Sequence, residues 1–308
     1  MRTLFHHTFK EWWIAIRPWS FPASVVPVAV TMLYFYWVDE EVYWGQALFA
    51  IVDMALFHAA GNTWSDYFDY RRGVDAQDTY GVQTLTSGMF KPCEILTLSI
   101  VLLVLAVAGG LFLVWCTDWP LLAVGACGVV CSLLYPPLKY HALGDLVIFL
   151  DFAVLPTLGS AYVATFSWRW EALYLAVPLG LVTVAILHAN NTRDMFTDHR
   201  ARIVTLAMLL GGKWSSWLYQ FEVLFPFVWV IGCAFKGVYP IFSLLSIFAL
   251  IPALENVFLV RSRWGVRRDA LSKLDMCTAR LQLVFGGLLG LSFLMDVCVS
   301  SLVEAWLG

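Results

Sequence analysis

Long apolar runs recur along this chain from residue 18 to residue 303, and polar residues gather in the stretches between them. Each run reaches the roughly 20 residues with which a helix crosses the hydrocarbon core of a bilayer. The breakers between runs predict nine helices, at 18–38, 43–66, 93–116, 119–136, 143–166, 171–193, 214–235, 239–260 and 279–303. Nothing of domain size remains between them, so residues 1–308 read as one all-α polytopic membrane domain. The opening stretch, MRTLFHHTFKEWW, has no short apolar core followed by a small-residue cleavage site. It is expected to be mature sequence lying as an amphipathic lead-in at the membrane surface.

Composition agrees. Hydrophobic residues make up 60% of the chain and charged residues 13%, against roughly 25% charged in an ordinary soluble domain. A soluble enzyme and a nucleic-acid binder are both excluded. Of the 19 lysines and arginines, all but Arg169 and Lys236 fall on one side of a nine-helix zigzag. Because positive residues stay inside, the N-terminus and the long polar loops, 67–91 and 194–213, are expected on the cytoplasmic face of the cell membrane. The seven cysteines form no CxxC pair and read as inert thiols within the apolar segments.

Charge is concentrated at two helix ends. In GNTWSDYFDYRRGVD, Asn62, Asp66 and Asp69 fall at i, i+4 and i+7, one face of the second helix if it continues that far. Asp75 lies past Gly73, in the loop. In HANNTRDMFTDHRAR, Asn190, Asp194 and Asp198 form a second stripe at i, i+4 and i+8. Both helices run toward the same face, so the stripes can meet at one mouth of the bundle. A lone interfacial aspartate is ordinarily just solvated charge. Two matching stripes of carboxylates would repel one another unless a cation neutralises them. Mg2+ suits the place, since it takes one or two carboxylates together with waters and phosphate oxygens. Arg71, Arg72, Arg193 and Arg200 are interleaved where they can take phosphate oxygens directly. The pattern therefore points to a Mg2+-bridged diphosphate at a membrane mouth. His58, one turn before Asn62, is more readily a packed histidine than a base, and Asp53, Glu222 and Asp296 fall inside spans without an assignable role.

At this point NxxxDYFDYRRGVD and NNTRDMFTDHRARIVTLAMLLGGK resemble the two aspartate-rich motifs of the UbiA superfamily of intramembrane prenyltransferases. IRPWSFPASVVPV, LTSGMFKP and YPPLKYHALGDLVIFLDFAVLPTLGSAYVAT agree in order and spacing, and together resemble the menaquinone branch, 1,4-dihydroxy-2-naphthoate polyprenyltransferase. The resemblance covers about residues 15 to 215; the last three helices are merely compatible with it. It implies nine spans around a cavity open sideways to lipid. It also implies transfer of a polyprenyl group from an allylic diphosphate to an aromatic acceptor, the naphthoate, with loss of the carboxylate. Carried across, Asn62, Asp66, Asp69, Asn190, Asp194 and Asp198 would hold Mg2+, and the four aspartates would carry the catalysis. Arg71, Arg72, Lys139 and Arg193 would bind diphosphate, while Tyr67, Tyr135 and Asp145 would meet the substrates. No protein partner is implied. Ser65, Gln83 and Trp19 depart from the pattern of that branch, Gln83 standing where relatives often carry arginine. Other acceptors therefore stay open: 4-hydroxybenzoate, a haem vinyl group, a chlorophyllide or a glycerol phosphate. So do an ion-coupled transporter and a non-catalytic binder of diphosphate lipids.

Overall fold

The computed structural model describes residues 7–38, 41–77, 79–263 and 271–307. Arg2, Arg267 and Arg268, counted above among the basic residues, lie outside them. The described chain is helical throughout: α1 (Phe9–Ile16), α2 (Pro22–Trp37), α3 (Trp44–Arg72), α4 (Pro92–Cys116), α5 (Pro120–Lys139), α6 (Gly144–Phe149), α7 (Leu155–Thr165), α8 (Leu173–Arg200), α9 (Leu206–Phe235), α10 (Leu250–Arg263) and α11 (Leu274–Leu307). A π-helical turn, Leu150–Val154, joins α6 to α7 into one span. A 3₁₀ run, Ile241–Ala249, leads into α10.

Among the described residues, seven helical runs are long and apolar enough to cross a membrane. There are eight if Phe9–Ser20 and Pro22–Trp37, bent by 53°, make one span. The remaining element among the nine expected is α3. Its 29 residues reach about 43 Å, but Asp53 and His58 interrupt its apolar half and the rest is polar. Length and composition thus support seven or eight spans and do not establish nine.

Two boundaries matter for the site. α3 runs on to Arg72 and α8 to Arg200, past the expected ends at 66 and 193, so each aspartate stripe sits on continuous helix. Gly73 (φ 74°) ends α3, donating its N–H to the Asp69 and Tyr70 carbonyls. α9 begins at Leu206 rather than 214, with a break at Gly211, whose φ of 68° and ψ of 163° only glycine adopts without strain.

α8 is central, with 67% of its best apolar window buried, against 17% for α4 and for α5. It lies in the main core with α2, α9 and α11, where Phe35, Leu175, Leu179, Tyr219 and Phe285 are fully enclosed. Lipid is as apolar as these side chains, so close packing rather than the hydrophobic effect must hold such helices together. Gly286 shows how close it is: a Cβ there would stand 2.1 Å from Val26 Cγ1. α1 is different. A capping box starts it, with the Glu11 N–H on Thr8 Oγ1 (3.3 Å) and the Thr8 N–H on Glu11 Oε2 (2.6 Å). Phe9 and Trp13 stand exposed on it while Ala15 is buried. At the end of the bundle that holds both stripes, the loops after α5 and α8 are pinned together. The Ala142 N–H donates to the Val204 carbonyl (2.7 Å) and the Val204 N–H to the Tyr140 carbonyl (3.0 Å).

Candidate active site

Both stripes open onto one cavity of about 500 Å³, a volume typical of small-molecule sites. Its walls come from α3, α5, α8 and α11, the corner between α1 and α2, the π turn, and residues 74–75 and 79–82 after α3. On α3 the lining positions include His58, Asn62, Asp66 and Asp69; on α8 they include Asn190, Asn191, Asp194 and Asp198. The helical period that aligns each stripe also turns it inward.

Most of these acids are already engaged. Arg17 reaches back from the α1–α2 corner to donate to Asp66 Oδ1. Lys139 Nζ donates to Asp69 Oδ2 at 2.8 Å, Ser65 Oγ to the same oxygen at 3.1 Å, and the Tyr140 hydroxyl to Oδ1 at 2.9 Å. Arg193 holds Asp194 through two bonds, 2.9 and 2.7 Å, and reaches Asp275 on α11 at 3.0 Å. Asn62 donates to the Ile16 carbonyl (3.1 Å) and Ser20 Oγ (3.0 Å). Toward the loop, burial pushes the Asp75 carboxyl up to about 6; the neighbouring charge of Asp69 adds to the rise, and Lys139 and Arg17 oppose it. Burial and the Asp69 charge likewise raise the Tyr140 phenol.

Even so, acid is in surplus. Asp66, Asp69, Asp75, Asp194, Asp198 and Asp275 line this end of the cavity, against Arg17, Lys139, Arg193 and Arg280. Asp66 Oδ2 is buried without any partner. Carboxylate oxygens in excess, one of them unpaired, beside asparagine amides form the hard-donor set that Mg2+ takes. The residues present fit that ion.

Not every expected residue belongs to this wall. Tyr135 and Lys139 line the cavity, as does Arg193, although Arg193 is committed to two aspartates. Arg71, Arg72, Tyr67 and Asp145 are absent from the lining. Tyr67 falls about 100° round α3 from Asp66 and Arg71 about 140° from it, both off the stripe. There the Arg71 guanidinium meets the Tyr67 hydroxyl (3.3 Å), and Tyr67 packs on the small cluster of Ala15, Leu85 and Phe90. Arg72 covers the Tyr140 ring. Asp145 turns onto His188 Nδ1 (3.2 Å), which also faces Glu222 Oε1 (3.7 Å), while His188 Nε2 meets Ser215. This buried trio joins α6, α8 and α9 away from the cavity. Gln83 caps its own loop, donating to the Gln77 and Thr79 carbonyls (3.0 Å each).

Sequence reasoning missed Arg17 as a site residue, and with it Asp275 and Arg280 of α11. The signal for Arg17 was the IRPWS segment itself. For α11 there was none, since sequence spacing cannot say which distant helix closes a cavity. His58 lines the cavity with both ring nitrogens engaged, by Ser20 (3.2 Å) and Ser24 (2.8 Å).

Comparison with known proteins bears on the family and the fold. The UbiA prenyltransferase family matches residues 24–279. The chain is similar to UbiA prenyltransferase domain-containing protein 1 of Danio rerio, 34% identical over 281 residues, covering 89% of this chain and 80% of that one. The Homo sapiens protein of the same name is 31% identical over 287 residues, with 89% and 80% covered. Among solved structures it resembles a UbiA homolog from Archaeoglobus fulgidus bound to GPP and Mg2+ (TM-score 0.62, 13% identity, 91% of this chain and 99% of that one). It also resembles a digeranylgeranylglyceryl phosphate synthase (TM-score 0.60, 17% identity, 93% and 97% covered). These two likenesses show the fold alone.

The ion pair of Lys139 with Asp69 ties α5 to α3, and removing one partner of a buried pair leaves the other uncompensated. Lys139→Met is therefore expected to cost roughly 3 kcal/mol of stability. The double variant with Asp69→Asn should lose less than the sum of the two single changes. Thermal unfolding of the four proteins in one detergent checks this; strictly additive losses would mean the pair contributes nothing.

Proposed function

The chain belongs to the UbiA prenyltransferase family, and from that premise we propose that it transfers a polyprenyl group from an allylic diphosphate to 1,4-dihydroxy-2-naphthoate, with loss of the acceptor's carboxylate. The observation that carries the donor half is the meeting of two asparagine–aspartate stripes, from α3 and α8, at the polar end of one cavity. Asn62, Asp66 and Asp69 on one side and Asn190, Asp194 and Asp198 on the other would hold Mg2+. When bound, the ion supplies positive charge to the diphosphate oxygens and so favours departure of the leaving group. Arg17, Lys139 and Arg193 of the chain itself add cationic donors at the same end, each now on an aspartate and each able to exchange that partner for a phosphate oxygen.

The other end of the cavity suits an isoprenoid. Ala23, Ile148, Phe152, Ile186 and Leu187 make its wall apolar. Tyr135 and Phe152 put aromatic rings in the lining, where they would shield a developing allylic cation. Tyr80, Gly81 and Val82, on the loop above, help to keep water from quenching it. A lipid donor with an anionic head needs this combination. An ion-coupled transporter would place its site near the bilayer midplane on broken helices, whereas these stripes lie on unbroken helix ends beside arginines.

The acceptor reading rests on the second motif in the form NNTRD and on the YPPLKYHALGD segment. Dihydroxynaphthoate labelled at its carboxyl carbon should release label in step with prenylation, and only with Mg2+ and an allylic diphosphate present. Product that keeps the label, or turnover confined to another acceptor, would assign the chain to a different branch.

We place the cavity mouth on the cytoplasmic face, supported by the one-sided distribution of lysine and arginine. In a cysteine-free background, a cysteine at Gln77 should react with an impermeant reagent from the cytoplasmic side only, and one at Asp118 from the opposite side only. The reverse pattern would move the mouth to the other compartment.

A further inference from the structure

Below the head-group end the cavity holds one carboxylate that neither a metal nor a diphosphate explains. Asp151 is 3% exposed and lines the cavity from the π turn Leu150–Val154. Such single π turns re-aim a side chain out of helical register and often occur at functional sites. Ser132 Oγ donates to Asp151 Oδ2 at 2.9 Å, while Oδ1 is buried with no partner. Gly128 leaves space beside that oxygen, since a Cβ there would stand 3.4 Å from it.

The position can be measured along α5. Ser132 comes seven residues before Lys139, which bonds Asp69, so Asp151 lies about 10 Å deeper than the head-group cluster. A diphosphate reaches about half that depth, and one aromatic ring fills most of the rest. Two other lining side chains at this depth already have partners. His58 is engaged at both nitrogens, and Thr183 Oγ1 bonds the Leu179 carbonyl (3.0 Å) and Gln282 Nε2 (3.0 Å). Among the residues that line the cavity at this depth, Asp151 keeps a buried oxygen, Oδ1, without a partner.

We propose that Asp151 is the base for the acceptor: its Oδ1 receives the proton of a ring hydroxyl beside the carbon that is alkylated. The inference rests on the prenyltransferase reading above and names the residue that reading lacks. The hydroxyl O–H bond breaks and its proton passes to Oδ1. The electron pair freed at oxygen moves through the ring to form the new C–C bond at the allylic carbon. The C–O bond to diphosphate breaks, and its pair leaves with the diphosphate. Where that ring carbon bears a carboxylate, carbon dioxide then departs, its bonding pair returns to the ring, and the proton goes back from Asp151 to the ring oxygen. No further reactant is required. Ser132 holds the other carboxylate oxygen and so positions the base.

The test crosses Asp151→Asn with an acceptor in which the adjacent hydroxyl is a methyl ether. Mg2+-dependent binding of farnesyl thiodiphosphate, an unreactive donor analogue, should be unchanged in the variant. Its kcat with the free hydroxyl should fall by at least ~100-fold, in the range of general acid–base effects. The ether should slow wild type to a similar extent and slow the variant little further. A variant kcat within about 2-fold of wild type, or two losses that multiply, would remove Asp151 from this role. Should the variant fail to bind the analogue, wild type decides alone, since full-rate turnover of the ether overturns the inference. Wild type that prenylates no hydroxylated aromatic would end the acceptor reading and this inference together. Normal wild-type turnover with an unimpaired variant ends only the inference.

Discussion

Carboxylates buried at the edge of a membrane must be neutralised, and the arrangement of this protein follows from how that is done. Three ion pairs at the cavity's polar end also fasten two elements each. Arg17 on Asp66 closes the α1–α2 corner over α3, Lys139 on Asp69 ties α5 to α3, and Arg193 links α8 to α11 through Asp275. Isolated ions in such surroundings cost several kcal/mol each, so the helices have little freedom to part while the pairs persist. A ligand bringing both divalent cations and an anionic head group can trade partners with these pairs without leaving any charge bare. The closed bundle and the receptive site are therefore two uses of one set of ion pairs.

The same rule explains the buried trio of Asp145, His188 and Glu222. It lies off the cavity, yet it joins three helices through one imidazole whose far nitrogen is fixed on Ser215. The acids of the trio and of the cavity are thus either joints or linings. Asp151 belongs with the linings because it borders the cavity, which Asp145 and Glu222 do not.

Much of this was legible from the sequence, and the reason is periodicity. Asn62, Asp66 and Asp69, like Asn190, Asp194 and Asp198, declare a helical face by spacing alone, and both faces line the cavity. Tyr67 and Arg71 fail by the same criterion. Their chemistry suits a head group, but their spacing puts them at least about 100° off the stripe. What spacing cannot supply is contact between distant segments. Asp145 could not be seen to meet His188, nor Arg17 to meet Asp66 across 49 positions. The π turn that brings Asp151 inward is a local change of register with no sequence signature. α3 escapes the apolar criterion for the opposite reason, since the polar residues it brings to the cavity are those that weaken its apolar signal.

The central claim is that the stripes from α3 and α8 form a single Mg2+-dependent site for an allylic diphosphate. Titration calorimetry of the purified protein with farnesyl thiodiphosphate tests it most directly. Binding should require Mg2+, and should be lost on Asp66→Asn and equally on Asp194→Asn, while both variants keep the wild-type helical circular dichroism. Binding that persists in excess chelator, or that survives substitution in one stripe while the other abolishes it, would contradict the claim.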